Sequence, residues 1–130
     1  MNRGACLASI LGAFGLVAGG LTQAHHSVAI YDQQKSVTVS GTVREFQWTN
    51  PHSWIQVLVP AKDATGQVEE WSVEMGNPRQ LFRNGWKPGT LKKGDAITVV
   101  IRPMRDGSKA GLYVSATDAS GKHLGTDFKE

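Results

Sequence analysis

The sequence predicts an all-β domain with one short helix. Three observations carry that expectation. Apolar and polar residues alternate with period two through several short runs, and β-branched residues dominate them. Turn residues separate the runs: Asn50-Pro51, Asp63 to Gly66, Gly94-Asp95 and Asp106-Gly107. One segment, Gly76-Asn77-Pro78, breaks the alternation with a helix-start signature.

The first strand is Val37 to Trp48. Val37, Val39, Gly41 and Val43 fall on one side, and Thr38, Ser40, Thr42 and Arg44 on the other. Gly41 in the middle of so long a run predicts a bulge or sharp bend. Such a bend lets one strand serve both sides of a small barrel. Trp54 to Val59 is the second strand, ended by Pro60, and Val68 to Met75 is the third. Asn77 then suits an N-cap and Pro78 the first helical position. A helix over Arg79 to Asn84 buries Leu81 and Phe82, and Gly85 closes it. Ala96 to Arg102 is the fourth strand, with Ile97, Val99 and Ile101 on one face. Gly111 to Thr117 is the fifth, with Leu112, Val114 and Ala116 opposite Tyr113, Ser115 and Thr117. Three strands, a helix and two strands, with a bent first strand, is the order of a small five-stranded OB-like Greek-key barrel. A small open β-sandwich is the alternative.

Length and composition set the organisation. A chain of 130 residues holds one small domain. Met1-Asn2-Arg3 is a charged start, Ala5 to Leu21 carries no charge, and Thr22-Gln23-Ala24 offers small residues at a cleavage site. Residues 1–24 therefore read as a secretory signal peptide. An N-terminal arm follows over 25–35, the barrel over 36–125 and a loose tail over 126–130. The single cysteine, Cys6, lies in the signal, so the mature chain has no disulfide and no thiolate ligand. An exported domain without disulfides suits the bacterial periplasm. The net charge is +3, with one of those charges in the signal and acids interspersed among the rest. That balance excludes a nucleic-acid footprint. No later apolar run approaches the ~20 residues of a membrane span.

Several motifs together carry a family resemblance. They are Ala24-His25-His26-Ser27, Val39-Ser40-Gly41-Thr42-Val43, Trp48-Thr49-Asn50-Pro51-His52-Ser53-Trp54, Gly76-Asn77-Pro78, Gly85-Trp86 and Leu91-Lys92-Lys93-Gly94-Asp95. The sequence resembles small exported bacterial proteins known as domain of unknown function 6152. The resemblance implies export and a small β-barrel-like domain. It supplies no activity and no site residue.

The chemistry is read from the residues instead. His52 sits on the turn Asn50-Pro51 between two predicted strands, with Trp48 and Trp54 on either side. Cleavage after Ala24 makes His25 the first residue. Its α-amine and ring nitrogen then form a chelate, and the amine's ordinary pKa of about 7.7–8.0 lets a metal displace its proton near neutral pH. A tetragonal nitrogen set favours Cu(II), and zinc is the alternative. The arrangement resembles the histidine brace of several exported copper proteins. His26 or His52 completes the set, with Glu74, Asp32 and His123 as further candidate ligands. Neighbouring side chains in an extended arm point apart, which favours His52 over His26.

Trp48, Trp54, Trp71 and Trp86, with Tyr31 and Tyr113, form a second constellation that offers an aromatic face, Trp48 and Trp54 alternatively shielding the metal. That face supports the other reading, a metal-free OB-type module binding a glycan or a protein partner. Trp86, in a loop after Gly85, is the ring expected to be partly exposed. No catalytic constellation is present. Glu70 and Glu74 share a strand face but lie about 13 Å apart by strand rise, beyond the ~5–9.5 Å of paired glycosidase carboxylates.

Overall fold

The computed structural model describes residues 28–63 and 65–126. The strands are β1 (Val37–Gln47), β2 (Trp54–Pro60), β3 (Val68–Glu74), β4 (Ala96–Pro103) and β5 (Ala110–Asp118), and α1 (Pro78–Arg83) lies between β3 and β4. They form a closed barrel in the order β1-β2-β3-β5-β4. The closed Greek-key arrangement is thus the correct one of the two predicted architectures, because β1 reaches β4. All pairings are antiparallel except β3 with β5, which is parallel.

The length of β1 is what closes the barrel. Its first half pairs with β4, from Val37 opposite Ile101 to Thr42 opposite Ala96. Its second half pairs with β2, from Thr42 opposite Leu58 to Gln47 opposite Trp54. Thr42 belongs to both ladders. The preceding Gly41 sits where the two partners crowd the strand, and a Cβ there would overlap the Leu58 carbonyl oxygen. Gly41 is therefore a close-approach glycine and not the site of a bulge. The register skips Arg44, between Val43 and Glu45.

The inward positions fill the core in the predicted alternation. Val39, Val43, Ile55, Val57, Val73, Ile97, Val99 and Ile101 are all buried. The strict alternation expected for β5 fails. Val100 pairs with Ser115 and Ile101 with Tyr113, leaving Val114 without a partner on β4. This one extra residue shifts the phase, so Tyr113 and Ala116 both point inward.

Helix α1 begins as the sequence specifies. Asn77 caps it by accepting a bond from the Gln80 backbone N–H (2.9 Å), and Pro78 takes the first position. Leu81 is fully buried, but Phe82 is 64% exposed, contrary to the expectation that both are covered. Adjacent helical residues point about 100° apart, and a helix of six residues rests on the barrel by one face. The second correction concerns Trp86. It is fully buried, not a loop-tip aromatic. Gly85 takes φ of 84°, and the Trp86 N–H returns to the Leu81 carbonyl (3.0 Å). That reversal directs the indole into the core, against Phe46 and edge-on to Tyr113.

Replacing Gly41 by Ala should destabilise the barrel by about 1–3 kcal/mol or more, since a backbone carbonyl must move. Gly89→Ala, where no atom lies near the added Cβ, should stay within about 0.5 kcal/mol of wild type. Urea denaturation of the two variants checks the contrast.

Candidate functional site

The turn between β1 and β2 is fixed by its own residues. Pro51 follows a cis peptide bond from Asn50. The Thr49 hydroxyl donates to the His52 carbonyl (2.8 Å). Ser53 is fully buried, and its backbone pairs with the end of β3: Ser53 N–H to the Gly76 carbonyl (3.0 Å), and Met75 N–H to the Ser53 carbonyl (2.9 Å). His52 is thereby held beside Glu74, the last residue of β3.

Glu74 lies on the strand face that begins with exposed Val68, yet it is only 4% exposed. Two segments cover it. His52 Nδ1 bonds to Glu74 Oε1, and the Tyr31 hydroxyl donates to Glu74 Oε2. An ionised carboxylate only accepts, so the shared proton on the imidazole belongs to Nδ1. The ring's other nitrogen, Nε2, then has the lone pair in the neutral form.

Tyr31 arrives from the N-terminal arm. Val28–Ile30 forms a 3-10 turn. The turn ends in an antiparallel bridge between Tyr31 and Met104. Asp32 N–H bonds to the Pro103 carbonyl (2.8 Å), and Arg105 N–H to the Ile30 carbonyl (3.0 Å). The arm thus folds back on the barrel, and Tyr31 is 4% exposed. Burial pushes the Tyr31 phenol well above its ordinary pKa, reinforced by the hydrogen bond to Glu74 and by that residue's charge. The phenol stays protonated and remains a donor.

These residues share a cavity of ≈ 410 Å³. Val28, Tyr31, His52, Glu74, Met75 and Gln80 are among its lining residues. The arm, the β1–β2 turn, the end of β3 and the start of α1 therefore meet at one place.

The structure brings His52 and Glu74 together. Both Glu74 oxygens are engaged, Oε2 by the Tyr31 hydroxyl and Oε1 by His52 Nδ1. Asp32 is also committed elsewhere. It accepts from Gln34 N–H (3.1 Å) and pairs with Lys35 (3.4 Å) and Arg105 (3.9 Å). The Gln34 bond is the main cause of its lowered pKa, opposed by burial and aided by the two cations. Trp48 and Trp54 are half-buried, and neither lines the cavity. Trp48 packs edge-on against Phe46 at 5.7 Å. His25, His26 and the cleavage site at Ala24 lie outside the described residues. Among the described residues, no three His, Cys, Asp or Glu side chains converge as a metal site would require. Among them, too, no helix is long and apolar enough to cross a membrane.

The sequence places Tyr31 among the aromatics of a binding face and not beside Glu74. Nothing in the arm's residue pattern pairs a tyrosine with a glutamate 43 positions away. The signal available was the out-of-place burial of a strand-end carboxylate, which needs the fold to be seen.

Tyr31→Phe removes one donor from a buried carboxylate and should cost about 1.5–3 kcal/mol. The alkaline limb gives an independent readout. A phenol pKa raised by folding contributes stability that is fully present below its unfolded value near 10 and is lost as pH rises through the folded value. The variant should lose that part of the alkaline slope, measured by thermal melts between neutral pH and the base-unfolding limit.

A family model matches residues 15–115, and its description is a family of unknown function, DUF6152. No curated protein matches. No solved structure matches.

Proposed function

The chain belongs to the family of unknown function DUF6152, and for this member we propose a metal-binding role in the periplasm. The signal peptide is cleaved after Ala24, and the mature protein holds one Cu(II). His25 gives its amine and ring nitrogen, and His52 gives Nε2. His26 stands as the alternative imidazole, and zinc as the alternative metal.

The observation that carries this reading is the bond from His52 Nδ1 to buried Glu74. Ligating histidines characteristically donate their second ring nitrogen to a carboxylate, which fixes the tautomer and raises the basicity of the ligating nitrogen. The chain's path supports it. Val28 lines the same cavity as His52, and it is only three positions along the chain from His25. Their covalent reach is about 10 Å. The described residues offer one imidazole at the cavity, so nitrogens from the processed terminus are needed to complete a tetragonal set. When bound, copper would supply a Lewis-acidic or redox-active centre. The residues of this chain bind it, fix the imidazole through Glu74, and tie Glu74 to the arm through Tyr31.

The metal-free reading, a glycan- or protein-binding aromatic face, retains Trp48 and Trp54 but not Trp86, which is in the core. Tryptophan quenching by an oligosaccharide, insensitive to chelators, would favour it.

The test uses natively exported, tag-free protein. N-terminal sequencing should begin at His25. Titration with Cu(II) should show one equivalent bound, with nitrogen hyperfine structure in the electron paramagnetic resonance spectrum. His25→Ala and His52→Ala should each abolish that signal. Glu74→Gln should weaken the affinity by roughly 10–100-fold. A mature start at any other residue, or no stoichiometric binding, overturns the proposal.

A further inference from the structure

We propose that the cavity beside His52 binds a small amphiphilic anion, an apolar body carrying one oxyanion head. The body lies against the barrel, and Arg79 and Arg83 of α1 hold the head. This goes beyond the metal reading and requires no metal.

The inner wall comes from the outer face of the sheet. Val73 and Tyr113 point into the core, so Glu74 and Leu112, their neighbours and register partners, stand side by side on the opposite face. Half-buried Leu112 and exposed Val28 and Pro51 line the cavity around this point. Glu74 has both oxygens engaged by Tyr31 and His52. Its hydrogen bonds are made within the protein, and the wall beside it is apolar. A cavity of ≈ 410 Å³ with such walls suits a compact hydrocarbon body. The buried Glu74 charge repels an anionic head, which orients the head away from the sheet and toward α1.

The outer end is cationic. A second depression, lined by Asn77, Arg79, Gln80 and Arg83, adjoins the cavity, since Asn77 and Gln80 line both. Arg79 and Arg83 are four positions apart on one helix and are neighbours on its surface. The helix carries no acidic residue. Arg44 and Arg105 pair with Glu70 and Asp32, but among the described residues neither Arg79 nor Arg83 has a carboxylate partner. Two like charges so close are mildly unfavourable alone, and an oxyanion between them accepts charge-assisted hydrogen bonds from both. The Gln80 side chain marks the junction of the two depressions. It folds against Gly76, where an added Cβ would overlap Gln80 Oε1. The missing side chain of Gly76 thus leaves room for an amide that donates to the same head.

The experiment titrates octanoate into the natively exported protein, kept metal-free with a chelator, by calorimetry and by NMR of the His52 ring. Octanol supplies the body without the charge, acetate the charge without the body, and octyl phosphate the other common oxyanion head. Octanoate should bind at one site, at least about tenfold more tightly than octanol or acetate, and should shift the His52 ring resonances. From butanoate to octanoate the affinity should rise roughly three- to fourfold per methylene. The double variant Arg79→Ala/Arg83→Ala changes two exposed residues and should keep the barrel folded. It should weaken octanoate by at least about tenfold and leave octanol unchanged. Gly76→Ala, which displaces only the flexible end of Gln80, should weaken octanoate by about threefold. Tighter binding of octyl phosphate than octanoate, equally dependent on the two arginines, supports the proposal and makes the head a phosphate. Octanoate affinity unchanged in the arginine variant overturns it, as does saturable binding that leaves the His52 ring unshifted, or no saturable binding by either amphiphile. Binding of octanoate by a chain that takes no Cu(II) supports it and overturns the metal reading alone.

Discussion

A buried carboxylate organises one region of this barrel. An ionised carboxyl group without partners is too costly to bury, and the cost falls only when its oxygens are hydrogen-bonded. Glu74 meets that requirement with groups from two segments outside the regular strands. The arm supplies Tyr31, and the β1–β2 turn supplies His52. Neither segment has a strand ladder of any length to order it. The carboxylate gives both a fixed point, and the cavity forms where they converge on it.

The rest of the domain follows from apolar packing and close backbone approach. Inward valines and isoleucines of the five strands make the core, and Leu81 and Trp86 bring α1 and its following loop onto it. Among the described residues, the Trp86 indole N–H has no hydrogen-bond partner. Such a group costs about 1–3 kcal/mol, offset here by the area of indole removed from water. Gly125 packs directly over this nitrogen, where a side chain would overlap it, and Thr126 N–H bonds to the Asn84 carbonyl (2.9 Å). The segment after β5 is thus part of the packed structure.

Much of the fold was legible because period-two alternation reports a half-buried strand directly. All five strands and the Asn77-Pro78 helix start could be read that way. The misreadings share a cause: they depend on pairing between distant residues. Gly41 reads as a bend, but its role is set by the Leu58 carbonyl across the sheet. The extra residue at Val114 is visible only against the register of β4. Phe82 and Trp86 are both large and apolar, and which is covered depends on where α1 touches the barrel. The site was half legible. His52 stood out on its turn, and Glu74 entered as a candidate ligand. That Glu74 serves the imidazole, with Tyr31 behind it, follows from tertiary placement that no local spacing encodes.

The divided pairing of β1 also fixes an order of assembly. The β1–β2–β3 meander joins neighbours in sequence and closes through short connections. The β1–β4 ladder joins Val37 to Ile101, and the β3–β5 pairing joins Glu74 to Leu112. Loop-closure entropy makes such distant pairings the slow part of folding. Until Ala96–Pro103 arrives, the Val37–Thr42 half of β1 is an open strand edge rich in valine and threonine. Open edges of that composition recruit other strands. A chain interrupted before β4 would therefore carry a template for self-association that the complete barrel conceals.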